Sequence, residues 1–174
     1  MADIPEGIVL RSDRDLEGRR NDVWIRRSLL ALVGVVPLLA LLNLFGQHPE
    51  TLKASTPTAS LSVFAPSSVR GGLLFEARFH IVAHRELKNA ILILDSGWLE
   101  GMQVNTIEPS PVGEASRDGD LLLTLGHVPA GHVYRLFMEF QTNATNVGRR
   151  RADVTLYDGA KKIGTIHRTV TVFP

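Results

Sequence analysis

The sequence predicts an all-β fold, an immunoglobulin-like antiparallel β-sandwich of seven to eight strands, preceded by one transmembrane α-helix. Three observations carry this reading. Residues 28–45 read SLLALVGVVPLLALLNLF, eighteen positions without a charge. From Ser60 onward the apolar residues recur with period two rather than 3.6. Turn signals rich in Gly, Pro and Asp break that pattern every 8–15 residues, which leaves room for seven to eight short strands in about 115 residues.

Length and composition agree with one domain plus appendages. The 174 residues suffice for a proper core, and 44% hydrophobic against 21% charged residues argues against whole-chain disorder. Nineteen Lys and Arg stand against eighteen Asp and Glu, a net charge of +1. A nucleic-acid partner is therefore not expected, since such domains are markedly basic. The chain holds no cysteine, which excludes disulfides, cysteine-ligated zinc, iron–sulfur clusters and a lipoprotein anchor.

The elements follow in order. Residues 1–27 alternate acidic and basic side chains and read as a cytosolic charged tail. Residues 28–46 form the membrane span. Eighteen helical residues measure about 27 Å, close to the hydrocarbon thickness of a bilayer. Trp24 lies just outside, where an indole suits the headgroup region. Pro37 and Asn43 interrupt the run, and both are tolerated where neighbouring helices supply partners. Arg11, Arg14, Arg19, Arg20, Arg26 and Arg27 precede the span, whereas only Lys53 follows it within twenty residues. That bias keeps the N-terminus cytosolic and exports the rest across the plasma (inner) membrane. The rival reading is a cleaved signal, and Arg26-Arg27-Ser28-Leu29-Leu30 is similar to the core of a twin-arginine export signal. The long apolar run and the absence of a small-x-small site at its end favour a retained anchor.

Residues 47–59, rich in Pro, Ser and Thr, read as a linker to the domain at 60–174. Leu61 to Phe64 opens the strand series. Phe75 to His84 is the clearest strand, with Phe75, Ala77, Phe79, Ile81 and Ala83 on one face. Ala90 to Leu94 is a continuous apolar run suited to a central strand. Met102 to Ile107 and Leu121 to Leu125 follow. Tyr134, Leu136, Met138 and Phe140 share a face of the next strand. Asp158-Gly159 supplies a tight hairpin turn between Asp153–Tyr157 and a closing strand from Ile163 to Phe173.

The stretch Leu125-Gly126-His127-Val128-Pro129-Ala130-Gly131 resembles a turn that crosses between sheets in bacterial surface modules of the CARDB type. The fuller string includes Gly97 to Met102, Asn105 to Pro109 and Asn146 to Arg150. It is similar to a group of uncharacterised bacterial single-pass membrane proteins with an Ig-like extracytoplasmic domain. The resemblance implies fold, topology and a bacterial envelope setting. It implies no catalytic residue.

Chemistry-bearing residues are few. His80 and His84 lie four apart on a strand, about 13 Å, too far to share a metal. His127 and His132 bracket a turn and could approach, but two imidazoles alone make a poor zinc site. Asp95-Ser96-Gly97 and Arg117 to Asp120 resemble calcium loops, yet the same residues are ordinary turn formers. Nucleophile elbow, H-E-x-x-H, P-loop and dinucleotide motifs are missing from the sequence, so no enzyme and no cofactor or metal is expected. Arg149, Arg150 and Arg151 form the only dense basic cluster of the outer domain and read as an anionic contact. Trp98, between Gly97 and Gly101, either closes the core or marks an exposed contact. Phe137, with Leu74, Val82 and Leu122, falls on the outward side of its strand and would dock a partner if the four cluster.

The expected function is therefore a membrane-anchored module for protein–protein or envelope binding, as an accessory or scaffold subunit. It would contact the lipid bilayer through residues 28–46 and a membrane or envelope protein through the sandwich. The alternative is an exported, cleaved binding protein for a small ligand or cation.

Overall fold

The computed structural model describes residues 20–42 and 46–174. The chain divides into two compact units, one holding the helix and the other all the strands. Helix α1 spans Arg20–Leu41, 22 residues or about 33 Å. It is the one helix among the described residues long and apolar enough to cross a membrane, and none of its Asn21–Leu41 stretch is buried. It starts well before residue 28, so Arg20 to Arg27 are already helical. No Gly or Pro separates Arg20 from Ser28, and continuing the helix keeps those backbone groups bonded. Pro37 lies inside the helix. Asn43, Arg11, Arg14 and Arg19 lie outside the described residues.

The second unit holds thirteen strands: β1 Pro49–Ser55, β2 Ala59–Pro66, β3 Ser68–Arg70, β4 Leu74–Ala83, β5 Leu87–Leu94, β6 Met102–Glu108, β7 Gly113–Arg117, β8 Asp120–Val128, β9 Val133–Thr142, β10 Gly148–Arg151, β11 Val154–Asp158, β12 Lys161–Ile166 and β13 Thr169–Phe173. One five-stranded sheet runs β1-β2-β4-β9-β6 and another β12-β11-β5-β8-β7, with a small sheet β10-β13-β3 beside them. All pairings are antiparallel except β3 with β13. Buried side chains from all three sheets form one core, as in an immunoglobulin-like sandwich.

The expected alternation holds in β4, where Phe75, Ala77, Phe79, Ile81 and Ala83 are all buried. It holds in β9 too, with Leu136, Met138 and Phe140 buried and Tyr134 half-buried against them. β5 lies in mid-sheet between β11 and β8, as its apolar run predicts. The chain crosses between the large sheets at Pro129 to His132, with Gly126 and Gly131 at φ of +82° and +77°.

Three expectations need correction. Residues 47–59 are not a plain linker, because β1 pairs with β2 from Pro49↔Pro66 to Ser55↔Ser60. Its composition, PETLKAS, holds two apolar side chains that reach the core, Leu52 and Ala54, too few to show a period. Thr56 then closes the turn, its hydroxyl accepting from the Ala59 N–H at 3.2 Å. The strand count exceeds seven to eight because β1, β3, β7 and β10 are short or polar and owe their form to pairing. The closing strand is two, β12 and β13, because the chain changes sheets at His167-Arg168.

Candidate interaction surface

Trp98 is not a contact residue. It sits on a single 3-10 turn, Ser96–Trp98, and is only 1% exposed. Its ring packs between Phe79 at 5.6 Å and Phe140 at 5.2 Å, and Nε1–H donates to the Ala152 carbonyl at 2.9 Å. Gly97 makes this possible, since a Cβ there would lie 1.7 Å from the Arg151 carbonyl oxygen. The Arg168 guanidinium lies 4.6 Å from the Trp98 ring centre and donates to the Pro66 carbonyl at 2.7 Å. Burial pushes its pKa down to about 10, an effect the Glu50 charge partly offsets. Arg168 escaped the sequence reading because nothing in Ile166-His167-Arg168-Thr169 distinguishes a buried arginine from a solvated one.

The arginine cluster is divided by the strand's alternation. Arg150 is tucked in: it donates to the Glu100 carbonyl at 3.0 Å and approaches the Glu100 carboxylate at 3.6 Å. Arg151 bridges Asp95 at 3.1 Å and Asp153 at 3.4 Å, while Asp153 also meets His167 Nδ1 at 2.8 Å. Arg149 alone has no hydrogen-bond or ion-pair partner among the described residues, and it is exposed. A concerted anion contact through all three is therefore not what this strand presents.

The loops that resemble calcium sites are tied to each other: Ser96 N–H donates to Asp120 Oδ1 at 2.9 Å, and Asp118-Gly119 takes positive φ of 55° and 90°. Both are doing turn chemistry. Among the described residues, no three His, Asp or Glu stand together as a metal would need. His127 contacts Glu86 at 3.0 Å and His132 the Ala130 carbonyl at 3.3 Å, so each imidazole has a partner of its own. His84 contacts Ser60 at 2.7 Å, and His48 contacts Ser68 at 3.2 Å.

The outward face of the sheet β1-β2-β4-β9-β6 is different in kind. Phe137 is exposed on it, but its sequence-predicted companions do not gather round it. Leu122 belongs to the other large sheet, and Leu74 and Val82 sit at opposite ends of β4. What surrounds Phe137 is a row running across the strands. Thr51 pairs with Phe64, Phe64 with Arg78, Arg78 with Phe137, and Phe137 with Glu108. The Arg78 guanidinium lies 5.5 Å from the Phe64 ring centre and 5.9 Å from that of Phe137. It also donates to both Glu76 carboxylate oxygens, at 2.7 and 3.0 Å, and holds that carboxyl below its ordinary pKa. On one side of this row, His80 pairs with Arg135 in register and Lys53 shares the line. On the other side Glu76 pairs with Glu139. Lys53, His80, Val82, Val133 and Arg135 line an open groove with no carboxylate in it.

The chain matches no protein-family model and no curated protein. Solved structures similar to it include a CARDB domain from Pyrococcus furiosus, crystallised with di-metal ions. It is 13% identical over 69% of this chain and 98% of that one, at a TM-score of 0.40. CaCohA2 from Clostridium acetobutylicum is 16% identical over 68% of this chain and 93% of that one, at 0.44. The sporulation control protein Spo0M from Bacillus subtilis is 11% identical over 68% of this chain and 51% of that one, at 0.38.

Proposed function

We propose that the protein is a single-pass protein of the plasma (inner) membrane, N-terminus cytosolic, that presents its sandwich on the outer side as a binding and assembly module. The observation that carries this reading is α1, whose apolar Asn21–Leu41 stretch contains no buried residue. Exposed apolar side chains over that length favour a lipid surrounding. At one end Trp24 lies under the Arg27 guanidinium, 5.8 Å from the ring centre, a pairing suited to the headgroup layer. With six arginines ahead of the apolar run, that end faces the cytosol. The sandwich then acts through its surface, on a membrane or envelope protein, without catalysing a reaction.

The test joins two measurements on the full chain in its membrane. A phosphatase fused after Pro174 should be active only on the outer side, and the protein should resist carbonate extraction. A mature mass lacking roughly the first 45–60 residues would overturn anchoring in favour of a cleaved, exported binder.

A further inference from the structure

The outward face of β9 carries a charge order that reads the same after reversal with signs exchanged, with Arg135 and Glu139 on either side of Phe137. Along β4 the outward residues are Leu74, Glu76, Arg78, His80 and Val82, and along β9 they are Val133, Arg135, Phe137, Glu139 and Gln141. The two strands are antiparallel and registered so that Arg78 and Phe137 fall on one row. Acidic residues lie on one side of that row and His80 with Arg135 on the other. We propose that this face pairs with the same face of a second copy of the chain, about a two-fold axis lying along the Phe64–Arg78–Phe137 row.

Rotation about that axis exchanges the two ends of every strand. Arg135 then meets Glu139 of the second copy, His80 meets its Glu76, and Val82 meets its Leu74, each contact occurring twice. Phe64 and Phe137 pack on their own counterparts. On the axis itself Arg78, whose charge is shared with Glu76, and Glu108 each face their own counterpart, so the complementarity rests on the two Arg135–Glu139 contacts. The other two-fold choice, an axis parallel to the strands, sets Glu76 against Glu139 and His80 against Arg135. That choice leaves Arg135 and Glu139 with no opposite charge and doubles the number of like pairs in opposition, which disfavours it.

Neither half of the central pair is satisfied within one chain. Arg135 and Glu139 lie on the same strand and face but about 13 Å apart, with Phe137 between them. Arg135 has no hydrogen-bond or ion-pair partner among the described residues, and Glu139 accepts only a 3.4 Å bond from Asn105. The footprint, about 26 Å along the strands by about 14–19 Å across them, is below what free partners bury in a stable interface. Two copies held in one membrane would meet at high effective concentration, which favours a face of this size. The inference thus deepens the reading above by naming the partner, and rests on it for the tether.

The absence of cysteine makes the test clean. Single cysteines are placed in the full-length chain, in membranes, and treated with a short bismaleimide. Phe137→Cys, on the axis, should link to its own copy, as should Thr51→Cys on the same row. Val133→Cys, on the same strand but off the axis, should link at least tenfold less. In the Thr51→Cys background, Arg135→Glu or Glu139→Arg alone should reduce linking tenfold or more, and the two together should restore most of it. Equal linking at Val133, or indifference to the charge reversals, would overturn the pairing. So would linking of Phe137 to a different protein with no product of twice the chain mass. A protein that sits in the membrane with the sandwich outside but does not link refutes the pairing alone. A mature chain without α1 refutes the anchor.

Discussion

Helix α1 and strand β5 are both rich in aliphatic side chains, yet they meet opposite surroundings. In β5, Leu87, Ala90, Leu92 and Leu94 are fully buried between neighbouring strands and the facing sheet. In α1, Leu29, Leu30, Leu32, Val33, Val36 and Leu38 are all exposed. The difference is one of geometry. A strand shows two faces and can be enclosed by one sheet on each side, whereas a helix apolar all round needs an apolar surrounding on every side. The sandwich makes its own interior, and α1 must be given one.

That contrast can be broken in a graded way. The largest effect is expected at Trp98, the centre of the aromatic core and the platform under Arg168. Trp98→Ala should cost about 3–5 kcal/mol of sandwich stability, read as a lowered urea midpoint, because it opens a cavity and strips the ring from a buried guanidinium. Next comes the direct comparison of Leu92→Ala with Leu32→Ala. The former should destabilise the sandwich by about 2–5 kcal/mol and the latter leave its unfolding within about 0.5 kcal/mol. Equal losses would mean that α1 packs on the sandwich.

A smaller effect is expected at Asn146, whose amide donates to the carbonyls of Glu100 at 3.0 Å and Gly101 at 2.9 Å. Asn146→Ala should cost about 1–3 kcal/mol by removing both bonds, the Glu100 carbonyl keeping its Arg150 donor and the Gly101 carbonyl the Asn143 N–H. The smallest concerns Tyr134, whose hydroxyl burial raises above its ordinary pKa. A raised folded-state value means the stabilisation is complete below about pH 10 and is lost as pH rises through that value. Urea midpoints between about pH 9 and 11 should therefore fall less steeply in Tyr134→Phe than in the parent chain.

The parts of the fold legible in the sequence are those whose side chains repeat. Phe75 to Ala83 announces its period because every second residue is buried by the same facing sheet. β1 was hidden because Leu52 and Ala54 are two points, and two points have no period; its pairing with β2 is a backbone matter that composition does not record. The candidate surface was less legible still. Phe137 could be placed outward from its strand alone. Its neighbours could not, since Phe64, Arg78 and Glu108 come from three other strands and meet only through register. Reading Arg149-Arg150-Arg151 as one patch failed for a related reason: consecutive strand residues point to opposite sides.

The chain's two tryptophans fall one to each unit. Trp98 is sealed in the core, while Trp24 is exposed at the arginine-rich end of α1. The molecule thus carries a separate fluorescent reporter for each of its halves. Trp98 should emit in the blue, ignore aqueous quenchers and report unfolding, while Trp24, on the proposed anchoring, should answer to brominated lipid. Light from one sample can therefore follow the sandwich and the proposed bilayer contact at the same time, with no label attached.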